Sequence, residues 1–504
     1  MKHIYLLGAS LLVLASCKPN LEPTKPTSGD ANFTSYVAIG NSLTAGYADG
    51  TLYRSGQISS YPNMLAEMFA FAGGGEFKQP LLPGDAGWPS LKYVLGVSST
   101  GSLGPTTYSG TMDTAGSGTN VYAAGPYNNV GIPGIRCIDY IMPGYATANP
   151  YAARLVNSPF QTALAMATSK PATFYTVWLG ANDVLGYATG GGVGTVNTGI
   201  TYPTATNNIS STTLFGFCYD SVVNNLARTG AKGALINIPD VTSIPYFTTV
   251  PYNPLNAADP NFGPQVATLN TQFAGLNQLF TMLGKNERKI IFNTNGSSPL
   301  LIKDKNLVNL KDSIIKYLTP PYGQLPLNQA TVYGDLYGQC RQATAADLMV
   351  LPSSSVIAKP NATAIAAGVP QQLAINGVTY PLEDRFVLTG DFKDGTSNVS
   401  GEIALAKTAT AAFNAIIAAK AQSKGWALVD MNKFFASLQA GMKFNGVTFG
   451  VSFVSGGLFS LDGVHGTQRG YAVVANEIIR AINLHYGSTI PVVDVNKYPG
   501  IKFP

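Results

Sequence analysis

Residues 36–43 read Tyr-Val-Ala-Ile-Gly-Asn-Ser-Leu, a short apolar run that ends in a turn. A run of this length, bounded by turn residues, predicts a buried β-strand over Tyr36–Ile39. Ser42 follows directly where the strand ends. Ligand sites in open α/β sheets form outside the carboxyl ends of the strands. Ser42 is therefore a candidate nucleophile at that edge of the sheet.

Further short apolar runs alternate with helical patterns along the chain. This alternation predicts an α/β fold built on a parallel sheet. After the first strand, we predict strands over Asn128–Ile132, Thr173–Leu179, Gly233–Ile238 and Trp426–Asp430. The predicted helices are Asn63–Ala70, Leu214–Arg228, Glu402–Lys420 and Gln468–Leu484.

Three segments interrupt this alternation. Residues 73–123 and 189–211 are rich in Gly, Ser, Thr and Pro, and residues 250–381 form a long mixed block of Pro, Asn and Gln with a few helical patterns. Loops this long in a compact domain are usually functional or form small inserted subdomains. We therefore predict one domain over residues 35–490 that carries these insertions, followed by a C-terminal extension over 491–504.

The N-terminus has the pattern of an export signal. Residues 4–14 are almost wholly apolar, too short to span a bilayer permanently, and Leu14-Ala15-Ser16-Cys17 closes the segment. This closing motif resembles the lipobox of bacterial lipoproteins, which implies a signal peptide over residues 1–16 and a lipid on Cys17. The alternative is an ordinary signal peptide with a chance cysteine. No other segment is predicted to span a membrane.

Residues 17–34 are predicted to be the lipidated cysteine followed by a flexible tether, because residues 18–30 are mostly Pro, Thr, Ser, Asn and Lys. By the same resemblance, Lys18 in place of Asp after the cysteine favours the outer membrane of a Gram-negative bacterium. The expected location is thus the cell envelope, with the membrane as a partner through the lipid.

Composition excludes several classes of protein. Apolar residues make up 45% of the chain, which argues against intrinsic disorder. The net charge of +5 comes without a basic cluster, so no nucleic-acid partner is predicted.

The remaining cysteines are Cys137, Cys218 and Cys340. They fit no metal-binding spacing, and the whole chain has 3 histidines. We predict no metal and no cofactor. These cysteines allow at most one disulfide and are better explained as small buried apolar residues.

The segment Asp462-Gly463-Val464-His465 supplies the partners that a nucleophilic serine needs. A serine becomes reactive when a neutral imidazole takes its proton and a carboxylate orients that imidazole. Alone, Asp-x-x-His would more often be a solvated loop pair. Together with Ser42, it predicts a catalytic triad of Ser42, His465 and Asp462. His485, near the end of the last predicted helix, is assigned no role.

Two further motifs lie between these ends, and both follow predicted strands. They are Asn129-Val-Gly-Ile-Pro-Gly134 and Leu179-Gly-Ala-Asn182-Asp183. The four motifs, in this order, resemble those of the SGNH, or GDSL-type, serine hydrolase family. The resemblance covers under half of the chain and leaves out the insertions. One position departs from the family pattern: Asn41 stands where the family usually has Asp, which keeps a hydrogen-bonding oxygen but removes a charge.

The resemblance implies a fold and a complete site. The fold would be a three-layer α/β/α sandwich whose five-stranded parallel sheet has the flavodoxin-like order 2-1-3-4-5. Ser42 would attack an ester, with His465 as base and Asp462 orienting the ring. The oxyanion hole would consist of the backbone N–H groups of Ser42 and Gly134 and the side-chain amide of Asn182.

The expected function is therefore an exported serine esterase that hydrolyses carboxylic esters. The sequence leaves the substrate open between an acetylated polysaccharide and an acyl lipid. The Tyr- and Gly-rich insertions fit either an aromatic shelf for sugars or a cap over an acyl channel. Two other functions on the same fold also stay open, a non-catalytic glycan-binding surface lipoprotein and an extracytoplasmic O-acyltransferase.

Overall fold

The computed structural model describes residues 25–97, 101–112, 114–203 and 205–503. The predicted signal peptide, Cys17 and the tether up to residue 24 lie outside the described residues. The other predicted elements can be compared with the structure directly.

Five parallel strands form the central sheet, which confirms the predicted α/β class. They are β1 Tyr36–Gly40, β2 Asn129–Gly131, β3 Phe174–Trp178, β4 Lys232–Ile236 and β5 Ala427–Val429. Across the sheet they lie in the order β2-β1-β3-β4-β5. Every residue of β1 and β3 is buried, as is usual for parallel strands covered on both faces.

The register of the sheet places the first turn between two neighbours. Gly40, the last residue of β1, lies opposite Gly131 of β2 and Trp178 of β3. The chain therefore leaves β1, β2 and β3 at the same edge of the sheet. Ser42, Gly134 and Asn182 all follow within a few residues of that edge.

The longer helices include all four that the sequence predicts. In chain order they are α1 Tyr61–Ala70, α2 Asn182–Thr189, α3 Thr212–Leu226, α4 Val266–Met282, α5 Lys311–Leu318, α6 Leu327–Tyr337, α7 Glu402–Lys424, α8 Met431–Leu438 and α9 Gln468–Tyr486. Short helices are Ser42–Ala45, Arg54–Ile58, Pro150–Ala153, Ala163–Ala167, Pro245–Thr248 and Ala362–Ala366.

Helix α9 shows how the sequence builds the C-terminal part of the site. Thr467 caps the helix by accepting a hydrogen bond from the backbone N–H of Gly470, and Gly487 ends it in the left-handed conformation. Its buried residues recur at helical spacing, and α9 packs on α1 and on β5. The helix begins three residues after His465, so its position against the sheet also places that ring.

Helix α7 meets the length and composition of a membrane-crossing helix, the one such helix in the part of the chain described here. The sequence did not predict a further candidate span. However, Ala406, Phe413 and Ile417 of α7 lie in the main hydrophobic core, and the helix packs on α2 and α3 and on strands β4 and β5. Packing on the sheet therefore accounts for the buried apolar residues of α7, while Leu405 lies exposed.

The insertion predicted over residues 250–381 has a hydrophobic core of its own. This core contains residues of α4, such as Phe273 and Phe280, and continues beyond the predicted boundary to Val387. Buried ion pairs join its segments: Arg288 lies 2.6 Å from Asp394, and Arg341 contacts Asp304 and Asp347 at 2.8 and 2.7 Å. The block is therefore a folded unit and not a long loop.

The remaining segments form small two-stranded sheets and turns. The first insertion contains the hairpin Tyr93–Val97 with Leu103–Thr107, and the second contains a bridge between Val196 and Ile209. Other antiparallel pairs are Leu255–Asn256 with Ser297–Ser298, Leu301–Lys303 with Cys340–Gln342, Leu348–Met349 with Val387–Leu388, Phe392–Asp394 with Ser397–Val399, and Met442–Phe444 with Val447–Phe449.

The internal cysteines and the C-terminal extension both contribute buried side chains. Cys137, Cys218 and Cys340 are buried and carry free thiols. Val493 and Val495 of the extension lie in the main hydrophobic core, so this part of the chain packs on the domain.

Candidate active site

Ser42 begins a short helix directly after β1. Asn41 caps this helix, because its side-chain oxygen accepts a hydrogen bond from the backbone N–H of Leu43 at 3.1 Å. A neutral amide is sufficient for this contact, so Asn41 caps the turn without the charge of an Asp. Position 40 has no room for a side chain, because a Cβ there would lie 2.0 Å from Thr44 Oγ1. The turn therefore presents the Ser42 side chain at the edge of the sheet.

Ser42, His465 and Asp462 lie together as the sequence predicts. Nε2 of His465 is 2.8 Å from Ser42 Oγ, and Nδ1 of His465 is 2.9 Å from Asp462 Oδ2. A carboxylate at Nδ1 favours the tautomer with the proton on Nδ1, which leaves Nε2 free to accept the serine proton. The two ends of the chain thus supply a connected arrangement of serine, histidine and aspartate side chains.

Asp462 accepts hydrogen bonds on both carboxylate oxygens. Oδ1 accepts from Ser460 Oγ at 3.0 Å and from the backbone N–H groups of Val464 and His465 at 2.8 and 2.9 Å. Oδ2 accepts from the backbone N–H of Gly50 at 3.0 Å, besides contacting His465. Burial alone would raise the pKa of the Asp462 carboxyl, but the His465 ring and these hydrogen bonds outweigh it and hold the pKa well below its usual range.

Asp49 is a site residue that the sequence reasoning missed. Its Oδ1 accepts a hydrogen bond from the backbone N–H of Leu461 at 3.0 Å, and its own N–H donates to Ser460 Oγ at 3.0 Å. Its Oδ2 accepts from the Tyr53 hydroxyl at 2.7 Å, and burial raises the pKa of its carboxyl. Asp49 and Gly50 therefore hold the loop that carries Asp462.

At Asp49 the sequence indicates only a turn. Asp-Gly is a turn dipeptide, and Asp49 takes the left-handed conformation with φ of 52°, which Asp tolerates better than most residues. Nothing in that pattern connects a turn near the N-terminus with a loop more than 400 residues later, at 460–462. The contact is visible only once the chain is folded.

The three predicted oxyanion donors have hydrogen atoms available. Asn182, the first residue of α2, donates one amide hydrogen to the backbone carbonyl of Ile135 at 2.9 Å and keeps the other. The backbone N–H groups of Ser42 and Gly134 have no acceptor among the residues that the structure describes. Because Asn182 contacts the residue next to Gly134, the donors from β2 and β3 lie close together. Ser42 and Asn182 also line one cavity with His465.

Asp183, beside Asn182, ties these two donor segments to each other. Its Oδ2 accepts a hydrogen bond from the backbone N–H of Cys137 at 2.6 Å, so α2 is joined to the loop that contains Gly134. The carboxyl is fully buried, and burial raises its pKa to about 7. The sequence did not indicate this role for Asp183, because its partner in the loop could not be read from the motif.

A largely apolar cavity, part of it open to solvent, begins at Ser42 and His465. Apart from Asn41, Ser42, Asn182 and His465, its lining consists of apolar, aromatic and glycine residues. The walls come from the end of β3 with helix α2, the loop after β4, helix α8, the segments on both sides of Asp462 and the start of α9; they include Val241, Ile244, Phe435, Leu438, Phe459 and Val474. None of the lining residues belongs to segments 73–123, 189–211 or 250–381, so the insertions do not build this cavity.

His485 lies apart from the triad, on the last turn of α9. Its Nε2 is 2.9 Å from the backbone carbonyl of Gly425, the residue that ends α7. Within the described ranges no group of three or more His, Cys, Asp or Glu side chains is arranged to hold a metal ion.

Comparisons with protein-family models, with curated proteins and with solved structures find no match for this chain. Function is therefore inferred from the motifs and from the arrangement of these side chains.

Proposed function

We propose that the protein is a serine esterase of the SGNH type that hydrolyses carboxylic esters. The observation that carries this proposal is the connected triad, with His465 Nε2 at 2.8 Å from Ser42 Oγ and His465 Nδ1 at 2.9 Å from Asp462 Oδ2. These are the distances at which a base can take the proton of a nucleophile and be oriented by a carboxylate.

The reaction proceeds in two half-reactions. Ser42 Oγ attacks the ester carbonyl carbon while His465 Nε2 takes its proton, and the proton passes to the leaving alcohol as the carbon–oxygen bond to the alcohol breaks. The acyl group is then bonded to Ser42. Water attacks the same carbon with His465 as base, the bond to Oγ breaks, and the proton returns to Ser42. Asp462 stays ionised throughout, which its low pKa supports.

The negative oxygen of each tetrahedral intermediate is stabilised by hydrogen bonds. The donors are the N–H groups of Ser42 and Gly134 and the free amide hydrogen of Asn182, a set supported by their lack of other acceptors in the described part of the chain. Removing one such donor typically costs about 2.7–4 kcal/mol of barrier. Asn182 is the one donor of this set that can be removed by a side-chain substitution.

We also propose that the fold is a three-layer sandwich and that the protein is exported and anchored to the membrane by a lipid. A three-layer sandwich of flavodoxin-like order is supported by the strand pairing β2-β1-β3-β4-β5, with α7 packed on α3 and α9 packed on α1. Export and a lipid anchor on Cys17 at the outer membrane are supported by the N-terminal sequence pattern alone.

Hydrolysis of p-nitrophenyl esters by the full-length protein in detergent tests the activity. We expect turnover by the wild type and its loss in Ser42→Ala and His465→Ala, both with unchanged circular dichroism. His485→Ala is the matched control, since its ring contacts Gly425 at the end of α7 and the Tyr486 ring, away from Ser42 and Asp462, and it should retain activity. Turnover by Ser42→Ala equal to that of the wild type would refute the assignment.

A further inference from the structure

The cavity beside Ser42 is chemically divided into two parts. Its polar side chains, Asn41, Ser42, Asn182 and His465, all belong to the catalytic end. The remaining wall contains no Lys, Arg, Asp or Glu, and the Tyr471 hydroxyl in it already donates to the backbone carbonyl of Tyr47 at 2.6 Å. The Trp178 indole N–H has no acceptor among the described residues, but it is buried and is not offered to a substrate. Away from the catalytic end, the surface offered to a substrate is hydrocarbon.

This lining selects against a sugar as the buried part of the substrate. Glycan hydroxyls lose their hydrogen bonds to water on burial, and each one left without a partner costs free energy. The cavity wall supplies almost no partners. An alkyl chain, by contrast, binds more tightly when it is buried, because each methylene removed from water contributes about 0.8 kcal/mol of binding free energy. The tyrosines of the insertions, the candidates for a shelf that binds sugars, do not line this cavity.

We infer that the cavity holds the alkyl chain of the acyl group, so that the substrates are esters of fatty acids and not acetylated glycans. The inference rests on the esterase activity proposed above. The acyl group is the part of the substrate that stays bonded to Ser42 through both half-reactions, whereas the alcohol must leave before water can attack. A pocket with buried apolar wall residues, such as Val241, Ile244 and Leu438, suits the part that stays.

Helix α8 provides the residues that set chain length. Phe435 and Leu438 are three positions apart on this helix and both line the cavity, whereas Phe434 does not. Phe435 is half-buried and its ring lies 6.1 Å from that of Phe459, another wall residue. Phe434 is also half-buried and packs against the main hydrophobic core. The helix therefore offers a test residue and a matched control side by side.

The experiment compares two ester series with full-length protein in detergent. The first series keeps the p-nitrophenyl alcohol and lengthens the acyl group from acetate through butyrate and hexanoate to octanoate. The second keeps the acetyl group and lengthens the alcohol from ethyl to hexyl. We expect kcat/KM to rise about fourfold per methylene in the first series until the cavity is filled, the equivalent of about 0.8 kcal/mol. The second series should change much less.

Substitutions in α8 connect this preference to the cavity. Phe435→Ala should lower the ratio of octanoate to acetate kcat/KM by about fivefold or more, since the buried chain loses contact with an aromatic wall. Phe434→Ala should leave the ratio as in the wild type. Leu438→Trp, which narrows the deeper part, provides a second variant should Phe435→Ala unfold, with a thermal melt to check its fold.

The outcomes separate this inference from the activity on which it rests. Ser42-dependent hydrolysis with acetate as the best acyl group would overturn the acyl-chain inference and leave the esterase intact. A rise with alcohol length in place of acyl length would overturn it as well, as would equal ratios in Phe435→Ala and Phe434→Ala. Absence of Ser42-dependent hydrolysis of any ester would overturn both.

Discussion

Asp49 joins the two ends of the chain at the candidate site. Its carboxylate and backbone N–H contact Leu461 and Ser460, and the neighbouring Gly50 N–H contacts Asp462. Asp49 does not touch the reacting atoms and acts by holding the loop that carries the triad acid. Positioning of this kind is sensitive, because a misplacement of about 1 Å can cost about 100-fold in rate.

Asp49→Ala is therefore expected to lower kcat by about tenfold to 100-fold while KM changes little. Asp49→Asn should recover most of the rate, because its side-chain oxygen can still accept the hydrogen bond from Leu461. Steady-state kinetics of both variants, with thermal melts as a check on folding, measure this. A loss confined to KM, or no recovery in Asp49→Asn, would contradict a positioning role.

Asp183 makes stability depend on pH. Burial raises its pKa from an ordinary value near 4 to about 7, so the folded protein binds this proton more tightly than the unfolded chain does. Its contribution to stability is therefore present in full below about pH 4 and is lost as the pH rises to about 7. Asp183→Asn removes this dependence and can keep the hydrogen bond from Cys137.

We expect Asp183→Asn to be more stable than the wild type above pH 7, by up to about 4 kcal/mol, with the difference shrinking toward pH 4. Denaturant unfolding at several pH values measures it. A difference that is constant across this pH range would mean that Asp183 is ionised in the folded protein at every pH examined.

Among the elements, the five strands and the four long helices nearest to the sheet were predictable. Short apolar runs bounded by Gly and Asn mark β1 to β5, and the apolar residues of α9 recur at helical spacing. Helix α8 was not predicted, because Met431–Leu438 is only 8 residues long and follows β5 without a break in composition. It supplies two residues of the cavity wall. The part of the site that we propose to select the substrate was thus the part least visible in the sequence.

The turn between β1 and the Ser42 helix tolerates no side chain at Gly40. In Gly40→Ala the new methyl group would lie 2.0 Å from Thr44 Oγ1 and 2.7 Å from the Trp178 carbonyl oxygen, so the turn must shift. We expect a loss of about 1–3 kcal/mol in the free energy of unfolding, together with reduced ester turnover.

Gly275→Ala is the control for this substitution. Gly275 lies inside α4, and a Cβ at this position would have no neighbouring atom within 4 Å. Alanine there should raise stability by about 0.5–1 kcal/mol without affecting turnover. Thermal or denaturant unfolding of both variants tests the pair. Equal effects of the two substitutions would contradict the close contact at Gly40.

At the scale of the whole molecule, the sequence located the insertions but not their structure. Residues 250–381 contain a few helical patterns, that of α4 among them, but their core also depends on contacts between distant segments, such as Arg288 with Asp394. Asp462 and His465 could be predicted as a pair because they lie in one motif. The contact between His465 and Ser42 depends on the order of the strands in the sheet. The cavity wall comes from many separate segments between Asn41 and Val474 and could not be read from any one of them.

The proposed lipid anchor can be tested on the whole chain. Cells that express the protein and are fed an alkyne-labelled fatty acid should label the wild type, because the lipobox pattern directs the acyl chains to Cys17. Cys17→Ser should not be labelled. Labelling that survives this substitution, or none in the wild type, would show that the N-terminus is an ordinary signal peptide.

The central claim is that Ser42 is the nucleophile of a serine esterase. A fluorophosphonate probe reacts with an activated serine and leaves a stable adduct, which mass spectrometry assigns to one residue. We expect the adduct on Ser42 in the wild type and in His485→Ala, and none in Ser42→Ala or His465→Ala. An adduct on another serine, or unchanged labelling of Ser42→Ala, would contradict the claim.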